Sequence, residues 1–302
     1  MCRLLLYLGK PIVLNKLLIE PANSLINQSI HSQSVDTPVN GDGFGVAWYV
    51  HDISMRPGRY RSLTPAWSNN NLVSLARVTR SSTVLAHVRA ASVGLASAEN
   101  NCHPFTYSQY AFAHNGDVTA FQKIRRDIEA ALSDEAYALI EGNTDSEHVF
   151  ALFIDALRAR EHADQHHDQL DAMAGALQDA CAKVIAMAKA RNAEDHDTYL
   201  NIAITDGLRG VACRCSTDSD ENTPTLFVYR RGEYSCENGV CRLDPNGSPG
   251  AASAVVVSSE RLTDDPAWEQ IPLNHVVTIG DDHGVSLRAM DVVALGLVGR
   301  AG

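Results

Sequence analysis

A cysteine occupies the second position of the chain, where its chemistry differs from that of an internal cysteine. The side chain of Cys2 is small enough for an aminopeptidase to remove Met1, which would leave a thiol and a free α-amine on one residue. An α-amine titrates near roughly 8 and a thiol near roughly 8.5, so the amine can accept the thiol proton directly or through a water. Cys2 is therefore predicted to be a nucleophile that carries its own general base. If Met1 stayed in place, that base would be lost.

Partner groups for such a nucleophile occur at three further places, namely Arg89, Asn115-Gly116 and Asp145. Acyl transfer needs hydrogen-bond donors for an oxyanion, and the Asn115 amide and the Gly116 N–H are suitable donors. Arg89 can hold a carboxylate with two parallel hydrogen bonds, and Asp145 can pair with an ammonium. A glutamyl group carries both an α-carboxylate and an α-amine and would satisfy both charged residues. Taken singly, the three places are also explained by an ion pair, a hairpin turn and a helix cap, respectively.

The hydrophobic pattern predicts the elements that must bring these places together. The predicted strands cover residues 4–8, 46–50, 83–89, 110–114, 199–205, 210–214, 225–229, 254–257 and 276–279. The predicted helices lie within residues 15–26, where Pro21 interrupts the pattern, and at 72–78, 121–141, 170–190 and from the cap Thr144 or Asp145 to residue 157. Residues 27–29 are predicted as a loop, residues 57–71 as an irregular connection, and Asn115-Gly116 as a turn.

The order of these elements is strands, then long helices, then more strands, which predicts an α+β protein with two sheets. Helices on the outside of the two sheets would give a four-layer αββα sandwich. No linker-like stretch divides the sequence, so residues 1–302 are predicted to form a single domain.

Segments of the sequence, taken in order, resemble the class II glutamine amidotransferases, which are N-terminal nucleophile hydrolases with the αββα fold. The matching segments are Met1-Cys2, Gly41-Asp42-Gly43-Phe44-Gly45, His87-Val88-Arg89, His114-Asn115-Gly116 and Thr144-Asp145-Ser146-Glu147. They lie in about the first half of the chain. Each segment alone is weak evidence, but together they are specific. The resemblance implies that residues 1–302 form one glutamine amidotransferase type 2 domain.

The resemblance implies catalytic roles for three residues. Cys2 would be the nucleophile with its own α-amine as base, and Asn115 and Gly116 would form the oxyanion hole. The reaction would form a thioester on Cys2, release ammonia or an amine, and end with hydrolysis of the thioester to glutamate. Because this mechanism needs no imidazole, His87 is expected to be structural.

The resemblance also implies a binding site for the γ-glutamyl group. Arg89 would bind its α-carboxylate and Asp145 its α-amine. His114 and His103 are expected to lie beside the substrate, and Arg3 is a neighbour of the site without an assigned role. The chemistry needs no cofactor, and none is predicted.

Further segments point to a stand-alone branch of the family. They are Cys2-Arg3 and residues 24–29, 101–105 and 258–264. This branch includes the amidotransferase-like subunit of the cytosolic glutathione-degrading complex and the γ-glutamyl hydrolase of ergothioneine synthesis. It implies hydrolysis of a γ-glutamyl amide, with the leaving amine open among glutamine, glutathione and other γ-glutamyl compounds. The alternative is a subunit of a glutathione-degrading or amidotransferase complex that has little activity without its partner.

Composition excludes several other classes of protein. A formal net charge of -11 argues against binding of nucleic acid, which normally requires a basic surface. No apolar run approaches the roughly 20 residues of a membrane span, and no signal-peptide core is present. A cytoplasmic protein with reduced cysteines is therefore predicted. The expected partner is a small γ-glutamyl molecule, and both a second protein subunit and a homo-oligomer are compatible with the sequence.

Two groups of residues raise the question of a metal site. The pairs Cys213-x-Cys215 and Cys236-x4-Cys241 could bind zinc, but structural zinc usually prefers spacers of about two to four residues in both pairs. Buried, reduced thiols are the simpler interpretation. Three histidines at helical spacing could also bind a metal, but the solvated start of a helix explains them better; they are His162, His166 and His167. No metal site is predicted.

Overall fold

The computed structural model describes residues 2–32, 39–90, 98–163, 168–191, 197–219, 223–230, 233–237, 240–244, 254–291 and 295–296. Its strands are β1 (Arg3–Val13), β2 (Phe44–Val50), β3 (Ser54–Ser62), β4 (Arg80–Val88), β5 (Phe105–Tyr107), β6 (Tyr110–Asp117), β7 (Tyr199–Thr205), β8 (Gly210–Ser216), β9 (Phe227–Tyr229), β10 (Glu233–Glu237), β11 (Val240–Asp244), β12 (Val255–Ser258), β13 (Glu269–Gln270), β14 (His275–Ile279) and β15 (Val285–Ala289). Its helices are α1 (Asn15–Leu18), α2 (Leu25–Ile30), α3 (Asn70–Val78), α4 (Phe121–Ala130), α5 (Asp134–Tyr137), α6 (Asp145–Ala163) and α7 (Gln169–Ala190).

Two antiparallel sheets lie at the centre of the protein. Sheet I has the strand order β13-β9-β12-β1-β4-β2-β3, and sheet II has the order β15-β14-β8-β7-β6-β5. Strands β10 and β11 form a separate pair. The first strand of the chain therefore lies in the interior of sheet I, between a late strand and an early one.

Buried clusters of apolar side chains separate four layers. Helices α1, α2 and α3 pack against the outer face of sheet I, where Leu5 and Tyr7 of β1 are buried. The inner faces of the two sheets meet around Leu4 and Leu6 of the same strand. Helices α4, α6 and α7 cover the outer face of sheet II. The residues of β1 alternate between two clusters because successive strand residues point to opposite faces. The predicted αββα sandwich is confirmed.

One end of sheet I gathers segments that are distant in sequence. Because β1 and β4 are antiparallel, the start of β1 lies beside the end of β4, with Arg3 opposite Val88. The start of β2 also pairs with the end of β4, and the end of β12 pairs with the start of β1. The residues just beyond these strand ends, including Cys2 and Arg89, are therefore brought to one place.

Asn115-Gly116 was predicted as a turn, and this prediction was wrong. Strand β6 continues through both residues to Asp117, with Asn115 paired to Asn201 and Gly116 paired to Leu200 of β7. Pairing with a neighbouring strand overrides the local preference of the dipeptide for a turn. The two residues therefore lie at the end of a sheet strand and not on a loop.

Other local predictions also needed correction. Residues 27–29 belong to α2 because Ser24 caps that helix by accepting a hydrogen bond from the Asn27 N–H at 3.3 Å. Most of the connection predicted at 57–71 is strand β3 and the start of α3. Pro57 is tolerated there because β3 lies at the edge of sheet I. The predicted helix at 121–141 divides into α4 and α5, and strands β5, β10, β11, β13 and β15 were not predicted.

Candidate active site

The thiol of Cys2 lies against the backbone that follows β4. The Ala90 N–H donates a hydrogen bond to the Cys2 sulfur at 3.3 Å, and the thiol lies 3.5 Å from the Ala90 carbonyl oxygen. Burial raises the pKa of the Cys2 thiol, while the hydrogen bond from Ala90 and the positive charge of Arg89 lower it. The negative charge of Asp145 raises the same pKa. Cys2 therefore lies within electrostatic range of both charged residues predicted for the site.

Arg89 is fixed by the glycine-rich segment that precedes β2. Its backbone N–H donates to the Gly43 carbonyl at 2.8 Å, and its carbonyl accepts from the Asp42 N–H at 3.0 Å. Gly43 has φ +120°, and a Cβ there would lie 2.7 Å from the sulfur of Cys102 and 2.8 Å from the Ser62 carbonyl oxygen. Only glycine fits this position. The Arg89 side chain is 3% exposed, so the segment holds a cation at a nearly closed site.

Asn115 and Gly116 lie at the end of β6. Asn115, predicted from the sequence to be an available donor, is only 1% exposed, and its Nδ2 donates to the Ser259 hydroxyl at 3.4 Å. Its Oδ1 has no hydrogen-bond partner within the described part of the chain. A Cβ on Gly116 would lie 1.8 Å from the Tyr199 carbonyl oxygen, so the close approach of β7 requires glycine there. The backbone of both residues is held by pairing with β7, and the Asn115 amide nitrogen is oriented by its contact with Ser259.

Asp145 begins α6, but Thr144 provides the side-chain cap. The Thr144 hydroxyl accepts from the Glu147 N–H at 3.2 Å. Asp145 accepts from two backbone groups, the Val118 N–H at 2.8 Å and the Ser146 N–H at 2.7 Å. The Val118 contact ties the carboxylate to the segment that directly follows β6. A fixed anion thus lies at the second residue after Gly116, as a binding site for an α-amine near the end of β6 would require.

Two predicted site histidines differ in their surroundings. His114 uses both ring nitrogens: Nε2 donates to the Tyr199 carbonyl, and Nδ1 lies within hydrogen-bond distance of the Ser146 hydroxyl, each at 2.9 Å. His103 is 4% exposed, and neither of its ring nitrogens has a partner among the described residues. Burial lowers the pKa of His103 well below its usual range, so the ring is neutral. Contact of either histidine with substrate stays a prediction.

His87 is buried and neutral, as a structural role requires. Its Nε2 donates to the His114 carbonyl at 3.0 Å, and its ring lies 4.1 Å from that of His103. Burial lowers the pKa of His87 from its ordinary value of 6.5 to about 3. The unfolded chain therefore binds a proton at this residue at a pH where the folded protein does not.

We expect His87 to contribute to acid sensitivity. Its contribution to stability is fully present above pH 6.5 and is lost as the pH falls towards about 3. Between pH 7 and 4.5 the free energy of unfolding is expected to fall by about 2–3 kcal/mol because of this residue. His87→Gln keeps a donor but cannot titrate, so its free energy of unfolding, measured by urea denaturation, should fall less than that of the wild type over this range. Parallel pH profiles for the two proteins would contradict this.

Residues 258–264 carry part of the family resemblance but no role predicted from the sequence, and two of them, Ser259 and Glu260, lie at the candidate site. Ser259 contacts both β1 and Asn115, and Glu260 forms an ion pair with Arg3 at 2.8 Å. The sequence motif at residues 258–264 could therefore have indicated a role at the site. The place of these residues at the site depends on the pairing of β12 with β1, which no local sequence pattern predicts.

The cysteines and histidines that were considered as metal ligands are not arranged as a metal site within the described residues. Cys213 and Cys215 lie on β8 and are buried in the core between sheet II and its helices. His166 and His167 lie outside the described residues, as does part of the hairpin that carries Cys236. Across the described ranges, no group of three or more His, Cys, Asp or Glu residues is arranged to hold a metal ion. No helix in those ranges is long and apolar enough to cross a membrane.

Fold and site together define the class of protein. The class II glutamine amidotransferase family matches residues 20–293, and the chain belongs to that family. The predicted hydrolase or amidotransferase enzyme is confirmed at this level. The assignment of all 302 residues to one domain stays a prediction.

The similar proteins belong to the branch suggested by the sequence. Probable glutamine amidotransferase DUG3 of Saccharomyces cerevisiae is 39% identical over 302 residues, which cover 92% of this chain and 82% of the yeast protein. Gamma-glutamyl-hercynylcysteine sulfoxide hydrolase of Mycobacterium tuberculosis is 29% identical over 292 residues, which cover 96% of this chain and 97% of that protein. The resemblance to a stand-alone branch is therefore confirmed.

Solved structures support the same fold. A glutamine aminotransferase class-II domain protein from Silicibacter pomeroyi has a TM-score of 0.63 and 30% identity, covering 96% of this chain and 100% of that one. Glutamine phosphoribosylpyrophosphate amidotransferase from B. subtilis has a TM-score of 0.57 and 13% identity, covering 96% of this chain and 49% of that one. The second likeness concerns the fold alone, which is that of the N-terminal nucleophile amidotransferases.

Proposed function

We propose that the protein hydrolyses a γ-glutamyl amide bond through a thioester on Cys2 and releases glutamate. The observation that carries this proposal is the position of the Cys2 thiol, which accepts a hydrogen bond from the Ala90 N–H at 3.3 Å, directly after Arg89 in the chain. Arg89 lowers the pKa of the Cys2 thiol and Asp145 raises it, so the thiol lies in the electrostatic fields of a cation and an anion. A γ-glutamyl group carries the complementary charges, an α-carboxylate and an α-ammonium, on the carbon remote from its γ-carbonyl. Binding of these charges would place the γ-carbonyl at the thiol.

The Cys2 thiol is protonated at rest, so the proposed reaction needs a general base close to it. Because burial raises the pKa of Cys2, the resting form is the thiol and not the thiolate. After removal of Met1, the α-amine of Cys2 would accept the thiol proton. The sulfur would attack the γ-carbonyl carbon, and the C–N bond would break as the amine leaves with that proton. Water would then attack the thioester, break the S–C bond, and give glutamate and the free thiol.

The oxyanion formed in each attack needs nearby donors. The Asn115 amide and the Gly116 N–H lie on the segment that leads directly to the Val118 contact of Asp145. Preorganised donors of this kind stabilise developing charge because they need not reorient during the reaction. We assign this role to both residues, and the recognition of the substrate to Arg89 and Asp145.

The relatives support a γ-glutamyl substrate. The mycobacterial relative is named for hydrolysis of γ-glutamyl-hercynylcysteine sulfoxide, and the yeast relative is named a probable glutamine amidotransferase. Glutamine is itself a γ-glutamyl amide, so both names contain a compound that carries a γ-glutamyl group, whereas the amine differs. The proposed substrate class is therefore γ-glutamyl amides, with glutamine, glutathione and related conjugates as the compounds to compare.

Arg89→Ala is expected to weaken substrate binding more than it slows the chemical step. A hydrogen bond to a charged group contributes about 1.5–3 kcal/mol, which corresponds to a rise in KM of roughly 10- to 150-fold. Steady-state release of glutamate measures KM and kcat. Arg230→Ala is the control because Arg230 is an exposed arginine paired with Glu269 at 2.8 Å. An unchanged KM in Arg89→Ala would reassign Arg89 to structure.

The proposal as a whole is tested with 6-diazo-5-oxonorleucine, an electrophile shaped like glutamine. Intact mass before and after treatment should show loss of Met1 and a single adduct, which peptide mapping places on Cys2. Release of glutamate from glutamine, glutathione and other γ-glutamyl compounds then identifies the leaving amine. A protein without Met1 that gains no adduct and releases no glutamate would overturn the proposal.

A further inference from the structure

A buried ion pair lies directly behind the proposed nucleophile. Arg3 and Glu260 are 2% and 3% exposed at their side chains, and Nε of Arg3 lies 2.8 Å from Oε1 of Glu260. Two residues 257 positions apart meet because the end of β12 pairs with the start of β1. The residues that follow β12 therefore lie beside the first residues of the chain. Neither charge takes part in the reaction proposed above.

The ion pair continues into a network that reaches the backbone of Cys2. Nη1 of Arg3 donates to the Cys2 carbonyl at 2.8 Å. Arg3 also contacts the Ser32 hydroxyl, which donates to Oε1 of Glu260 at 2.8 Å. Asn23 donates to the other carboxylate oxygen at 3.3 Å. Among the described residues, Glu260 thus accepts from the side chains of Arg3, Ser32 and Asn23, and Arg3 also holds the carbonyl of the nucleophilic residue.

The neighbouring residue Ser259 reaches the other half of the site. Its N–H donates to the Leu4 carbonyl at 3.1 Å, and its hydroxyl accepts from the Leu4 N–H at 3.0 Å. The same hydroxyl accepts from Nδ2 of Asn115 at 3.4 Å. One serine therefore connects the strand that carries the nucleophile with the amide proposed as an oxyanion donor.

We propose that Ser259 and Glu260 are positioning residues that hold the two halves of the catalytic site in register. Glu260 acts through Arg3 on the carbonyl of Cys2, and Ser259 acts on the Asn115 amide. This inference rests on the proposed function. A chain terminus normally frays, so a nucleophile in the second position needs such restraint. A misplacement of about 1 Å at a reacting group can lower a rate on the order of 10²-fold.

A purely structural ion pair would behave differently from a positioning pair. Removal of one partner leaves a buried, uncompensated charge and lowers stability in either case. Replacement of both partners by apolar residues removes that penalty and often restores stability. The double variant Arg3→Met/Glu260→Leu therefore separates the two roles. It lacks both the buried charges and the donor to the Cys2 carbonyl.

The experiment compares the wild type, Glu260→Gln, Arg3→Met/Glu260→Leu and Ser259→Ala. Glu269→Gln serves as the control because it removes the charge of an exposed ion pair with Arg230. For each protein, intact mass reports the loss of Met1, thermal denaturation gives Tm, and timed labelling by 6-diazo-5-oxonorleucine gives the reactivity of Cys2. Release of glutamate gives kcat and KM.

We expect Glu260→Gln to have a lower Tm and a labelling rate and kcat reduced on the order of 10²-fold, with KM within about twofold of the wild type. The double variant should recover Tm but remain slow in labelling and turnover. Ser259→Ala should lower kcat about tenfold with little change in KM. The control should match the wild type in all four measurements.

Recovery of the labelling rate together with Tm in the double variant would overturn the inference and leave the pair a structural role. Wild-type kcat in Ser259→Ala would overturn the part that concerns Asn115. These results require a wild type that is labelled and active. A wild type without Met1 that is neither labelled nor active would instead overturn the proposed function itself, and the positioning role with it.

Discussion

Cys2→Ala will abolish turnover of every γ-glutamyl compound while leaving the protein folded. The proposed mechanism forms its covalent intermediate on this thiol, and alanine has no nucleophile to replace it. The thiol is only partly buried, so the free energy of unfolding is expected to change by less than about 1 kcal/mol. Glutamate release and thermal denaturation measure the two effects separately.

Cys181→Ala is the matched control for this substitution. Cys181 is a free, buried cysteine in α7, within the core between sheet II and its helices. Its removal should lower Tm but leave kcat and labelling at Cys2 unchanged. Turnover by Cys2→Ala at the wild-type rate would exclude the thioester mechanism, whatever the outcome for the control.

Asn115→Ala is expected to have the next largest effect, a fall in kcat of about 10²–10³-fold, equivalent to about 2.7–4 kcal/mol of transition-state stabilisation. The substitution removes one of the two proposed oxyanion donors. KM should change little because the donor acts mainly on charge that develops in the transition state. Asn115→Asp keeps the volume but replaces the amide donor with a carboxyl group, so its kcat should fall at least as far.

Asn115 is buried, so its substitution will also affect stability, and the control must separate the two effects. Asn69→Ala removes the side-chain cap of α3, which accepts from the Leu72 N–H at 2.7 Å. Loss of such a cap costs about 0.5–2 kcal/mol of stability. Because the α3 cap is not part of the proposed catalytic site, kcat should be unchanged. If Asn115→Ala retained the wild-type kcat, the oxyanion role would pass to other donors.

Burial explains how the proposed site could combine a protonated thiol with two fixed charges. The Arg89 side chain is 3% exposed, and its backbone is fixed by the glycine-rich segment. Charges in such a site interact more strongly than charges in water because screening is weaker. A substrate that pairs with both Arg89 and Asp145 would therefore be bound tightly at one end, while its amide bond remains at the thiol.

Local patterns in the sequence were sufficient for several elements and for the residue types at the site. The apolar spacing of residues 170–190 predicted α7, which forms as Gln169–Ala190, because a 3.6-residue repeat determines one buried face. The alternative of a turn at Asn115-Gly116 also came from a local pattern, and it failed. A dipeptide preference is small compared with the pairing of a whole strand, and β7 extends β6 to Asp117.

The sequence by itself determined which chemistry is available: a thiol at position 2, an amide and a glycine N–H, a cation and an anion in the order of a known family. Only the tertiary structure decided that these groups meet. The antiparallel order of sheet I places the end of β4 and the end of β12 on either side of the start of β1. Arg3 and Glu260 became partners by the same pairing. Contacts between residues more than 200 positions apart depend on strand order and burial, which local propensities do not encode.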